Sequence, residues 1–137
     1  DRVPFEMDRA TVISGGTDLA IIACGEMVRP AMQAAELLKE RGISAAVLDM
    51  YCLKPLDEKA VITAAEGVKA VITVEEHAPF GGLGAMVSQV LAKNCPRKMD
   101  ILALPDAPVI TGTSKEVFDY YGLNAEGIAK KAMELLT

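Results

Sequence analysis

Apolar runs alternate with segments of helical period along this chain. Leu19-Ala20-Ile21-Ile22-Ala23-Cys24 is unbroken and stops at Gly25, a pattern that predicts a strand covered on both faces. Over 26–41 the period changes: Val28, Met32, Ala35 and Leu38 share one helical face, while Arg29, Gln33, Glu36, Lys39 and Glu40 fall on polar positions. Lys39 and Arg41 suit the last turn and Gly42 supplies the stop. Residues 43–50 predict a second strand. Pro55 breaks the chain, and Asp57 can cap a short helix carrying Val61, Ile62 and Ala65. Ala70-Val71-Ile72-Thr73-Val74 predicts a third buried strand. Gly81-Gly82-Leu83-Gly84 leads into a helix bearing Met86, Val87, Val90 and Leu91, and 99–104 form a fourth strand. After Pro105 and Pro108 comes a loop. Ser114 is placed to cap a short helical turn through Tyr120, and Asn124 to cap a last helix whose Ile128, Ala132 and Leu135 share a face. Residues 10–14 read as an edge strand joined to the first long strand through Gly15-Gly16.

Strands that alternate with helices pair in parallel, because each crossover returns the chain to the same end of the sheet. Right-handed crossovers then place helices on both faces. The expected fold is α/β, a three-layer α/β/α sandwich. Ligands in such sheets favour the carboxyl ends of the strands near the point where strand order reverses; here those ends are Cys24-Gly25, residues 50–52 and residues 75–77. No stretch rich in Pro, Gly or Ser divides the chain into two domains, and no internal repeat occurs.

The composition narrows the function. At 137 residues, 51% of them apolar and 24% charged, the chain has enough apolar side chains for one packed domain. The net charge is -5 and the cations are scattered, which excludes a phosphate-neutralising nucleic-acid surface. No apolar run approaches the roughly 18 residues that cross a bilayer. The first six residues lack the basic-then-apolar pattern of a signal peptide, and a first residue of Asp1 rather than Met reads as a piece of a longer protein. Cys24, Cys52 and Cys95 form no Cys-x-x-Cys pair, so neither a zinc site nor a redox motif is indicated. Cys24 and Cys52 close apolar runs and read as reduced core residues, which points to the cytoplasm.

The stretch Thr73-Val74-Glu75-Glu76-His77-Ala78-Pro79-Phe80-Gly81-Gly82-Leu83-Gly84 carries the strongest candidate chemistry. A buried strand runs into two carboxylates and the single histidine, and a glycine turn then opens a helix. Backbone N–H groups at that helix start could hold an anion; the glycines could equally admit close packing against another backbone. As a dinucleotide loop the match is poor, since Val87 stands where a third glycine belongs. Histidine as a residue type titrates near neutral pH, so His77 could serve as a base, but no nucleophile is placed to use it, and a bond to a carboxylate or backbone group at a domain contact is the favoured reading. Successive strand residues point to opposite faces, so at most one of Glu75 and Glu76 addresses any one cleft. The alternatives for them are a solvated acid and a helix-capping acid. Metal binding needs several convergent ligands, and no second cluster exists. Leu53-Lys54-Pro55-Leu56-Asp57 reads as a structural turn.

Taken in order, these segments resemble the C-terminal domain of the transketolase family. The opening strand 18–25, the helix 28–38, the strand and Lys-Pro-Leu-Asp turn 47–57, and Val74-Glu75-Glu76-His77 with Gly81-Gly82-Leu83-Gly84 each resemble the family's corresponding segment, and the likeness runs from about Thr17 to the end. Glu-Glu-His before the glycine turn is most similar to the small C-terminal subunit of split prokaryotic transketolases. The resemblance implies a mostly parallel five-stranded sheet with one antiparallel edge. It implies residues 1–16 as a lead-in from a preceding domain and 17–137 as the domain itself. It implies a cytoplasmic parent enzyme of the pentose phosphate pathway that moves a two-carbon ketol unit between sugar phosphates with thiamine diphosphate and Mg²⁺. In that family the cofactor is held by other domains. The resemblance therefore assigns this chain no catalytic, cofactor-binding or metal residue. It leaves Glu75, Glu76, His77, Gly81, Gly82 and Gly84 as a candidate interdomain-contact or anion site. The implied partners are the other domains or subunits of the parent and a second copy in a homodimer. A regulatory small-molecule or nucleotide domain, a hydrolase using His77, and the equivalent domain of a pyruvate dehydrogenase beta subunit or deoxyxylulose phosphate synthase are the competing readings.

Overall fold

A computed structural model of the chain describes residues 11–50, 56–76, 82–105 and 112–137. Five strands form one sheet in the order β1-β3-β2-β4-β5: β1 (Thr11–Ser14), β2 (Leu19–Ala23), β3 (Ala45–Asp49), β4 (Ala70–Val74) and β5 (Lys98–Leu102). β2 pairs in parallel with β3 and β4, and β4 with β5, whereas β1 lies antiparallel along the outer edge of β3. The edge strand and the mostly parallel sheet are as the pattern implied. The strand order is not legible from periodicity: the chain steps from β2 outward to β3, then crosses back over β2 to lay down β4.

β2 and β4 are buried along their whole length, which is why their sequences are unbroken apolar runs rather than alternations. Alternate residues feed two cores. Leu19, Ile21, Ala23, Val47, Ile72 and Val74 meet helices α1 (Val28–Glu40) and α5 (Ala125–Leu136) on one face. Ala20, Ile22, Leu48 and Val71 meet α2 (Glu58–Glu66) and α3 (Leu83–Asn94) on the other. The short α4 (Ser114–Tyr120) brings Phe118 to the first core. The result is the three-layer sandwich.

Helix ends follow local chemistry. Asp57 accepts the Ala60 N–H at 3.1 Å and Asn124 the Gly127 N–H at 2.7 Å, as N-caps do. α4 departs from the sequence reading: its cap is Thr113, not Ser114. The Thr113 hydroxyl accepts from the Glu116 N–H at 3.2 Å while the Glu116 carboxylate accepts from the Thr113 N–H at 2.9 Å, a reciprocal capping box. Gly42 ends α1 with φ +78°.

The second departure concerns α1. A 3-10 turn (Gly25–Met27) precedes it, and the side chains turned to the core are Met27, Ala31, Ala34 and Leu38. The stripe Val28, Met32 and Ala35 lies beside that face rather than on it, and Met32 is 42% exposed. Leu38 alone of the predicted set is buried. Ala31 and Ala34 were passed over because alanine gives a weak hydrophobic signal, yet their small size lets α1 lie close to the sheet and to α5.

Gly127 marks another close approach, between the first turn of α5 and the turn that leads into it. A Cβ there would overlap the Gly122 carbonyl oxygen, with the Gly122 carbonyl carbon at 2.7 Å. Gly127→Ala is therefore expected to lose about 2 kcal/mol, although alanine in a helix normally gains about 1 kcal/mol over glycine. Gly67→Ala, where the nearest atom is at 3.9 Å, serves as the tolerated control. Urea denaturation of the two variants checks the contrast.

Candidate functional site at the strand carboxyl ends

β2, β3 and β4 stop at one level. Ala23 lies opposite Asp49 on one side and Val74 on the other. Met50 donates its N–H to the Ala23 carbonyl at 2.8 Å, and Glu75 donates its N–H to the Leu102 carbonyl at 3.0 Å. Cys24, Gly25, Asp49, Glu75 and Glu76 therefore collect at the end where strand order reverses, between β2 and β4, the usual ligand position in such sheets.

Glu75 is wholly buried. Its Oε1 accepts the Leu83 N–H at 2.9 Å and its Oε2 the Gly84 N–H at 2.8 Å. These are first-turn donors of α3, which have no partner inside the helix, and the positive end of the helix favours a carboxylate. Among the readings open to Glu75, the geometry matches the helix-capping acid. The glycines follow from it. A Cβ on Gly82 would fall on Glu75 Oε1, and one on Gly84 would lie 2.6 Å from Ile101 Cγ2 of β5. Gly82 has an ordinary extended backbone (φ -97°, ψ -163°), so close approach is its requirement, not a special dihedral angle. The Leu83 and Gly84 N–H groups, which the sequence offered as an anion cradle, face the chain's own carboxylate.

Glu76 follows Glu75 beyond the end of β4. It is half-buried, and its Oε1 lies 2.8 Å from where a Gly25 Cβ would stand. Gly25 has φ +63°, so its backbone calls for glycine. His77 and Gly81 lie outside the described residues, as do Cys52 and the Leu53-Lys54-Pro55 turn.

Two groups here were missed as a pair by sequence reasoning, because they are brought together only across the sheet. Burial pushes the Asp49 carboxyl above its ordinary value. Burial, reinforced by the negative charges of Glu75, Glu76 and Asp49, pushes the Cys24 thiol up to about 11. A protonated thiol is a poor nucleophile, and the field that keeps it protonated also repels an incoming phosphate. Among the described residues no cluster of three His, Cys, Asp or Glu side chains could hold a metal ion. No described helix is long and apolar enough to cross a membrane.

Comparison with known proteins decides the family. The family profile "Transketolase, C-terminal domain" matches residues 8–128. The chain belongs to the transketolase C-terminal domain family. It is 48% identical over 136 residues to an apulose-4-phosphate transketolase subunit of Phocaeicola vulgatus, covering 99% of this chain and 43% of that protein. It is 39% identical to a "Putative transketolase C-terminal section" of Methanocaldococcus jannaschii, covering 98% of this chain and 42% of that protein. Among solved structures, a "Split gene transketolase, inactive beta4 tetramer" superimposes with a TM-score of 0.91 at 35% identity, over 98% of this chain and 44% of that one. This transketolase C-terminal domain thus spans less than half the length of these relatives.

Two outcomes follow from the site. Glu75→Gln places an amide nitrogen against an N–H donor and is expected to cost about 2 kcal/mol, and Glu75→Ala about 3 kcal/mol or more, since two buried donors lose their acceptor; equilibrium unfolding in urea measures both. Cys24 is expected to alkylate at pH 8 about a hundredfold more slowly than an ordinary thiol, with the rate climbing until about pH 11. Because the folded thiol titrates above its ordinary 9.0, its contribution to stability is complete below pH 9.0 and is lost as the pH rises through about 11. Peptide-resolved mass spectrometry after timed iodoacetamide treatment follows the reaction.

Proposed function

We propose that this domain is the assembly module of a thiamine diphosphate-dependent transketolase: it scaffolds and joins subunits, while ketol transfer is carried out on polypeptide outside it. In this reading the parent is a cytoplasmic homodimer that moves a two-carbon unit between sugar phosphates. The observation that carries the reading is the state of the switch-point end. In many α/β folds that end supplies free helix N–H donors to a phosphate. Here Glu75 fills the first two donors of α3, and the neighbouring carboxylates disfavour a second anion.

Thiamine diphosphate brings a diphosphate and a divalent cation, and when bound it supplies a stabilised carbanion. The described residues do not fit it. Both Glu75 oxygens face N–H donors, and no described lysine or arginine joins the group. No catalytic step is therefore routed through this chain. The 48% identity to a subunit named as a transketolase supports the reaction class for the parent.

The test has two arms. Titration of the 137-residue chain with thiamine diphosphate and Mg²⁺ is expected to give no binding in the micromolar range, and the chain alone no ketol transfer. In the full-length parent, Cys24→Ala and Glu76→Gln are expected to leave kcat within about threefold, as suits groups outside the transition state. Micromolar binding by the chain, or loss of turnover in the parent with KM unchanged, overturns the reading.

A further inference from the structure

The sheet ends at β5, and among the described residues no strand pairs with its outer side. The Leu102 carbonyl accepts the Glu75 N–H at 3.0 Å, so the backbone groups of Leu102 face β4. Backbone groups alternate sides along a strand of a parallel pair. Asp100 therefore also faces β4, while Met99 and Ile101 turn their N–H and C=O groups outward. The chain here is apolar, with Ile101, Leu102, Ala103 and Leu104 in succession, all half-buried. An open apolar edge of this kind is a template for another extended chain. The opposite edge of the sheet is less inviting: β1 has four residues and a register shift between Val12 and Ser14, and short, irregular edges pair poorly. β5 has no such irregularity, since its five residues stay in unbroken register with β4.

One outward donor of β5 is already taken. The Ile101 N–H is donated to Asp100 Oδ1 at 2.9 Å. The other oxygen, Oδ2, lies 3.7 Å from Lys131 Nζ of α5, and that ammonium lies 3.5 Å from Glu134 Oε1. Lys98, the first residue of β5, donates from Nζ to the Leu135 carbonyl of α5 at 3.2 Å. The charged side chains of the strand are thus tied to the helix beside them. A strand arriving at this edge would have to take the Ile101 N–H from an ionised acceptor, whose bonds are stronger than those of a neutral carbonyl. It would also bring its own carbonyl oxygen up against a carboxylate.

We propose that Asp100 guards the β5 edge: its carboxylate occupies the outward Ile101 N–H and so denies the open side of the sheet to an extended apolar strand of another chain. The device concerns the contacts this domain refuses. It goes beyond the assembly reading and is tested without cofactor, substrate or parent enzyme, so the failure of either leaves the other standing. What distinguishes it from a merely solubilising charge is the acceptor. A side chain that keeps the oxygen and loses the charge retains most of the protection, and removing the N–H itself makes the guard unnecessary.

The 137-residue chain and its variants are concentrated and incubated, each held the same distance below its own melting midpoint so that unfolding does not enter the comparison. Growth of thioflavin T fluorescence and of the infrared band of intermolecular β-sheet gives the rate of strand-mediated assembly. Asp100→Ala is expected to raise that rate about tenfold. Asp100→Asn keeps an oxygen for the Ile101 N–H and is expected to stay within about threefold of the parent chain, and Lys131→Met, which leaves the carboxylate in place, within about twofold. Adding Ile101→Pro to Asp100→Ala removes the outward donor, which an edge strand tolerates, and is expected to bring the rate back to the parent's. An Asp100→Ala chain no more prone to assemble than the parent, an Asp100→Asn chain as prone as Asp100→Ala, or a proline variant that is not rescued overturns the proposal.

Discussion

A carboxylate withdrawn from water just beyond β4 holds the first N–H groups of α3. Burying an acid costs several kcal/mol unless its oxygens are met, and helix ends leave donors that need partners; Glu75 resolves both requirements with one side chain. The consequences spread outward. The turn before α3 must pass so close to the acid that Gly82 has no room for a side chain. The helix so placed then presses Gly84 against Ile101 of β5. The same negative charge contributes to the field that keeps the Cys24 thiol protonated. A position that elsewhere receives ligand phosphate is closed here by the chain itself.

The layers around that end follow from the strand order. The crossover from β3 over β2 to β4 puts α1 and α5 on one face and α2 and α3 on the other. α1, with alanines on its inner side, sits low against the sheet and carries two apolar stripes. One is consumed by the core; the other opens toward solvent beside β1. The Leu83 and Gly84 N–H groups at that end are satisfied by Glu75, and α1 carries apolar side chains on two sides. This accords with a family in which related chains are more than twice as long as this one.

Much of this architecture was legible in the residues. Unbroken runs such as Leu19–Ala23 and Ala70–Val74 can be satisfied only as strands covered on both faces, Asp57 and Asn124 cap where local chemistry puts them, and the order of motifs carried the family. Periodicity misassigned α1 because a helical wheel ranks large apolar residues above alanine, whereas the sheet selects the side that fits closest. It chose Ser114 over Thr113 as a cap because adjacent hydroxyls are equivalent in sequence and differ only in which one remains outside the helix.

The sequence by itself determined the elements, their parallel pairing and the acids at the strand ends, because those follow from local spacing and the demand that backbone groups be paired. Only the tertiary structure decided which donors Glu75 would meet, why Gly82 and Gly84 are glycines, and that Asp49 lies near Cys24. Each of these depends on atoms distant in the chain arriving within a few ångströms of one another, and the strand order that brings them there leaves no local trace.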